Sequence, residues 1–119
     1  MNAPLRSYAA DWDMLQVNAK AFYSTSADLQ VIRSLVNDHG KNGVDLNLSL
    51  TEDDAKVVAS LAEQMAAEVA NMGARVTLAA VNRLVEGALA GALSYHQVLA
   101  LTADINSRIR DELDGRILF

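Results

Sequence analysis

Four Ala- and Leu-rich blocks with helical spacing fill this chain, and no cluster of catalytic or metal-binding residue types interrupts them. Each block is apolar along one stripe, and such a stripe must be buried against a neighbour. The chain is therefore expected to be mainly α, a bundle of four or five helices with short connections, so that most neighbours run antiparallel.

The first block carries Tyr8, Trp12, Leu15, Ala19 and Phe22 at alternating steps of four and three, the spacing of one helix face. Leu29, Ile32 and Val36 resume the stripe after a polar Ser24-Thr25-Ser26 interruption. The region, residues 7–37, reads as one long helix or as two with a kink near 25, where Thr25 caps a new start and Asp28 follows three residues on. Asp38, His39, Gly40, Asn42 and Gly43 end it. Unbroken, it would span about 45 Å at about 1.5 Å per residue and outrun its partners. The overhang would expose Trp12, Phe22 or Leu29 unless a second subunit covered it. A kink removes that need.

Three further helices are expected at 52–72, 75–92 and 95–114. Thr51 is a good N-cap, with Glu52, Asp53 and Asp54 at the positive end of the helix dipole. The buried face of the helix it opens is Val58, Leu61, Ala62, Met65, Val69 and Met72, and Gly73 stops it. The third helix places Leu78, Val81, Val85, Ala88 and Ala92 on one side. Gly87 and Gly91 lie four apart among alanines, small enough for a neighbouring backbone to approach closely, either inside the bundle or at a dimer seam. Ser94 and Gln97 form a capping box before Val98, Leu101, Ile105, Ile109, Leu113 and Ile117. On the outer face of that helix, Arg108 with Glu112 and Arg110 with Asp114 are spaced for i,i+4 pairing.

Only Val44–Leu50 breaks the helical period. Its strict apolar and polar alternation is the strand signature. A minor strand there needs a partner: Arg116–Phe119, beyond the helix-stopping Gly115, or another molecule. Otherwise the segment is an extended loop whose leucines plug the core. Candidate interaction residues are Trp12, Phe22, Leu46, Leu48, Leu118 and Phe119.

Composition narrows the class. At 119 residues and 51% hydrophobic content, residues 1–119 form one domain able to bury a core unaided. Cysteine is absent, which fits a reducing cytoplasm and rules out thiol chemistry and Cys-based zinc sites. A net charge of -5 opposes non-specific nucleic-acid binding. Arg6, Asp11 and Asp13 stand where a secretory signal needs an apolar core. The most apolar run, Val76 to Leu93, contains Asn82, Arg83 and Glu86, so no membrane span is expected. A cytoplasmic protein that binds a protein partner or itself, a homodimer included, is the expectation.

Neither His39 nor His96 has an acidic residue at metal-site spacing, so no metal or cofactor is expected. No G-x-S-x-G elbow occurs, and Gly40-Lys41-Asn42-Gly43 lacks the Lys-Ser/Thr of a phosphate-binding loop. One catalytic pattern stands out, Arg33-Ser34-Leu35-Val36-Asn37-Asp38-His39. It resembles the R-x(4–6)-H motif of HEPN-type ribonucleases, all-helical proteins whose Arg and His usually meet across two subunits. The resemblance implies metal-independent RNA cleavage, with His39 as acid or base and Arg33 steadying phosphate charge. Ser34 stands where that family typically has Asn, Asp or His. Read without the resemblance, Arg33 and His39 are cations near a helix C-terminus, where the dipole favours them.

Leu101 to Phe119, with Ile109-Arg110-Asp111-Glu112-Leu113 leading to Leu118-Phe119, resembles part of the N-terminal helical region of longer, uncharacterised bacterial proteins. Ending on Arg-Ile-Leu-Phe without a polar tail, where those proteins continue, reads as a domain excised from something larger or as an end meant to be buried, and no catalytic residue comes with the resemblance. Three functions follow as expectations: a non-enzymatic helical interaction or dimerisation module; a HEPN-like ribonuclease using Arg33 and His39; and an acidic inhibitor of a nucleic-acid-binding protein.

Overall fold

The computed structural model describes the backbone of residues 3–117 and the side chains of residues 16–113. It is a four-helix bundle: α1 (Ala3–Lys41), α2 (Glu52–Asn71), α3 (Arg75–Leu89) and α4 (Tyr95–Ile117). Each helix packs on its neighbours in the chain and α4 closes against α1, while the diagonal pairs stay apart. This is the up-down-up-down arrangement that short connections favour. No described helix is long and apolar enough to cross a membrane.

Glycine ends α2 and α3. Gly73 and Gly91 follow the C-caps with φ of 69° and 65°. In each turn the next residue's N–H reaches back to a carbonyl of the last helical turn, Ala74 to Val69 and Ala92 to Gly87. A side chain strains at that φ, and glycine does not. The starts are also encoded locally. Thr51 Oγ1 accepts from the Asp54 N–H at 3.2 Å. The Ser94–Gln97 capping box closes with bonds of 2.8 and 3.2 Å. Ala74, the N-cap of α3, offers no side-chain acceptor. Glu112 supplies it from α4, its carboxylate accepting from the N–H groups of Val76 and Thr77 and from the Thr77 hydroxyl. Glu112 therefore serves α3, and Arg108 pairs instead with Asp104 at 2.9 Å.

The structure decides between alternatives that the sequence leaves open. Of the one-helix and two-helix readings of the first block, α1 is the continuous one, and there are four helices among the described residues. The Ser24 and Thr25 hydroxyls donate across the interface to Glu68, so the polar interruption is satisfied by α2 without a break. Val44–Leu50 is not a strand paired with Arg116–Phe119. Residues 116 and 117 are helical, continuing α4 through Gly115, and Leu118 and Phe119 lie outside the described residues. The segment turns at Asp45, whose carboxylate accepts from the Asn47 N–H at 2.9 Å. It then makes one antiparallel bridge, Ser49 with Ser94. The Tyr95 and His96 N–H groups donate to the Leu48 and Leu46 carbonyls. Those are first-turn donors of α4 with no acceptor in their own helix, and the loop bends to meet them.

The core runs the length of the bundle. Its members include Ile32 and Val36 from α1, Val58, Met65 and Val69 from α2, Leu84 from α3, and Ile105, Ile109 and Leu113 from α4. The α2 and α4 faces are as the spacing predicts, except that Leu61 and Leu101 are half-buried and the side chain of Ile117 lies outside the described residues. On α3, Val81 and Ala88 are buried as expected, but Leu84 is fully buried too, Leu78 and Val85 are half-buried, and Ala92 is exposed beyond the helix end.

Glu112→Ala should cost about 1–2 kcal/mol of unfolding free energy, as loss of a helix N-cap does. The exposed control Glu63→Ala should stay within about 0.5 kcal/mol, both measured by urea titration.

Candidate functional site

Three helix ends meet around one carboxylate. Asp54, in the first turn of α2, is held beside Thr51 by the N-cap. Its Oδ2 accepts from the Tyr95 hydroxyl at 2.5 Å and lies 2.8 Å from His39 Nε2. The His39 and Tyr95 rings lie 5.0 Å apart, and the Thr51 N–H donates to the Tyr95 hydroxyl at 3.4 Å. One oxygen thus joins the end of α1, the start of α2 and the start of α4.

Burial pushes the Asp54 carboxyl up, but hydrogen bonds from Tyr95 and Thr51 and the adjacent His39 outweigh it, so Asp54 titrates below the ordinary carboxylate range. Burial and the bond to Asp54 push the Tyr95 phenol up. The proton between them stays on tyrosine. Tyr95 is 2% exposed, so no substrate reaches its hydroxyl. The cluster has the residue types of an acid-base site, but its geometry makes it a joint between helices.

A second charged contact lies toward the other end of the bundle. Asp28 on α1 sits near Glu68 of α2, and burial, with the Glu68 charge, raises its carboxyl.

Between α1 and α4 a groove of about 330 Å³ opens, with Arg33 and Gln30 on one side, Asn106 and Arg110 on the other, and Leu29, Phe22, Tyr23 and Ser26 completing it. Arg33 therefore does not meet His39. Six residues of helix separate them by about 120° around the axis, and His39 is engaged by Asp54 and Tyr95. Among the described residues no group of three or more His, Asp or Glu is placed to hold a metal ion.

The remaining sequence candidates scatter. Phe22 lines the groove and is half-buried. Leu46 packs on the core, while Leu48 is 57% exposed. Leu118 and Phe119 fall outside the described residues, as does the side chain of Trp12, whose backbone is in α1. A Cβ on Gly87 would come within 2.7 Å of the Leu93 side chain, so its small size admits a loop leucine. Gly91 faces open space and serves the turn. Sequence reasoning missed Tyr95, although a tyrosine just inside a capped helix start has a hydroxyl that needs a partner once buried.

The antiparallel contacts also set the register of α1. His39 faces Asp54 and Ser24 faces Glu68 on α2, and His39 faces Tyr95 at the start of α4. Carried along the helices at about 1.5 Å per residue, α2 ends opposite about residue 22 and α4 opposite about residue 17. Residues 3–16 project about 20 Å beyond both. Gln16 and Val17, where the projection begins, are exposed. The long dimension is 64 Å against 25 and 19 Å.

Comparison with protein families, with characterised proteins and with solved structures finds no match to this chain.

Because Asp54 titrates below its unfolded value, its stabilisation is complete above the unfolded carboxylate range and is lost as pH falls through the folded pKa. Asp28 has the opposite sign, since its raised carboxyl favours the fold more once protonated. Asp54→Asn should therefore flatten the acid limb of the stability-pH curve. Asp28→Asn should raise the thermal midpoint at pH 7 and leave it unchanged at pH 3. Thermal melts across pH 3–7 read both.

Proposed function

We propose that this chain is a non-enzymatic helical interaction module that pairs with a second copy of itself through the projecting N-terminal part of α1. One observation carries the reading: α1 has 39 residues, while the helices it packs on have 20 and 23. Residues 3–16 therefore lie beyond the ends of both. In sequence that part places Leu5, Tyr8, Trp12 and Leu15 at steps of three, four and three. A strict 3.5-residue repeat is the seam of a two-stranded coiled coil.

A second copy brings an identical seam, so a two-fold pairing is self-complementary. The flanking positions support it, since Ala9, Gln16 and Asn18 are uncharged and only Asp11 carries charge beside the seam. An isolated helix of about 14 residues is marginal in water. Packing the seam against a partner removes that weakness and buries the apolar side chains that the repeat supplies. Lattices of charge are absent from the seam itself, so pairing should survive high salt.

Light scattering behind a sizing column, over a concentration series, should give a dimer mass for the natural chain. Leu15→Asp should give a monomer whose urea midpoint, set by the bundle core, is unchanged. A monomer mass for the natural chain at every concentration, or a Leu15→Asp dimer, overturns the proposal.

A further inference from the structure

The groove between α1 and α4 gathers positive charge in an acidic chain. Acidic residues outnumber basic ones fifteen to ten overall, yet among the described residues the groove lining holds two arginines and no carboxylate. Arg33 cannot pair within its helix, because the residues three and four positions away are Leu29, Gln30, Val36 and Asn37. Among the described residues neither Arg33 nor Arg110 forms an ion pair; the side chain of Asp114, the expected i,i+4 partner of Arg110, lies outside them. The contrast lies two residues away, where Arg108 is paired with Asp104 at 2.9 Å.

The rest of the lining is chemically ordered. Gln30 and Asn106 add amide donors and acceptors beside the guanidinium groups. Leu29, 4% exposed, forms an apolar floor. At the far end Phe22 and Tyr23 meet edge to face with centroids 5.6 Å apart, and Tyr23 is 64% exposed. At about 330 Å³ the space suits a small molecule. Guanidinium forks match the oxygens of carboxylate or phosphate, and in a partly apolar groove those bonds are charge-assisted.

We infer that this groove binds a small organic oxyanion, a carboxylate or phosphate ester carrying an aromatic or branched apolar group. The oxyanion sits between Arg33 and Arg110, and the apolar group lies over Leu29 toward Phe22 and Tyr23. The site involves the bundle alone and does not depend on pairing through the projecting N-terminal part of α1.

Titration calorimetry with phenyl phosphate, benzoate and inorganic phosphate, supported by amide shift mapping, tests this. Phenyl phosphate or benzoate should bind saturably and shift amides of residues 22–33 and 106–110. The tighter of the two identifies a phosphate ester or a carboxylate as the natural chemistry. Arg33→Gln and Arg110→Gln should each weaken binding about tenfold, close to 1.4 kcal/mol, and the exposed control Arg83→Gln should not. Tyr23→Ser should weaken phenyl phosphate and leave inorganic phosphate unchanged. The inference is overturned if neither aromatic anion saturates at millimolar concentration, if the arginine variants bind like the natural chain, or if inorganic phosphate binds as tightly as phenyl phosphate.

Discussion

Two hydrogen-bonding partners on one oxygen, Asp54 Oδ2, fix how the helices of this bundle line up. Tyr95 and His39 both reach that atom, so the end of α1 and the starts of α2 and α4 are held level. Hydrophobic burial stabilises the bundle but is non-directional, and a stripe of Ile, Val and Leu can slide by a turn at modest cost. A carboxylate with two donors cannot. Glu68 repeats the device further along, accepting from Ser24 and Thr25. Between the two carboxylates the pairing of α1 with α2 has a single register.

The overhang follows from that register. With α1 held at its C-terminal end, its excess length emerges at the other, past Asn71 of α2 and Ile117 of α4. Moving α1 by one turn to shorten the projection would separate His39 from Asp54 and leave a carboxylate short of a donor. The same register brings Arg33 level with the middle of α4 and turns His39 into the joint. One helix therefore carries three different surfaces: a joint at its end, a groove along its middle, and a heptad series at its start. Coupling between them is local, since each depends on a different stretch of α1.

Much of the fold was legible in the sequence, and the failures share a cause. Helix starts and stops at Thr51, Ser94, Gly73 and Gly91 depend on residues within a few positions, and local chemistry specifies them. The faces of α2 and α4 are legible because polar residues mark their outer sides. α3 is apolar around much of its circumference, so spacing alone chose Val85 and Ala92 over Leu84. The sequence leaves a kink near Thr25 and a continuous helix equally open, because the partner that satisfies the Thr25 hydroxyl, Glu68, is 43 residues away. Val44–Leu50 alternates like a strand, yet Leu48 points out and Leu50 is buried, because the backbone bends to cap α4. The candidate site was the least legible part. Asp54, Tyr95 and His39 are each unremarkable in sequence, and only the three-helix junction gives them a common role. The spacing of Arg33 from His39 suggests a catalytic pair, whereas in the structure Arg33 lines a groove with Arg110.

The chain contains a single tryptophan, Trp12, and it lies at a core position of the heptad series in the projecting part of α1. Its fluorescence therefore reports on that segment alone. Emission wavelength and iodide quenching, followed from nanomolar to high micromolar protein, test the self-association most directly. The account predicts that emission moves to the blue and quenching falls as copies pair. Emission that stays red and fully quenchable throughout would contradict it.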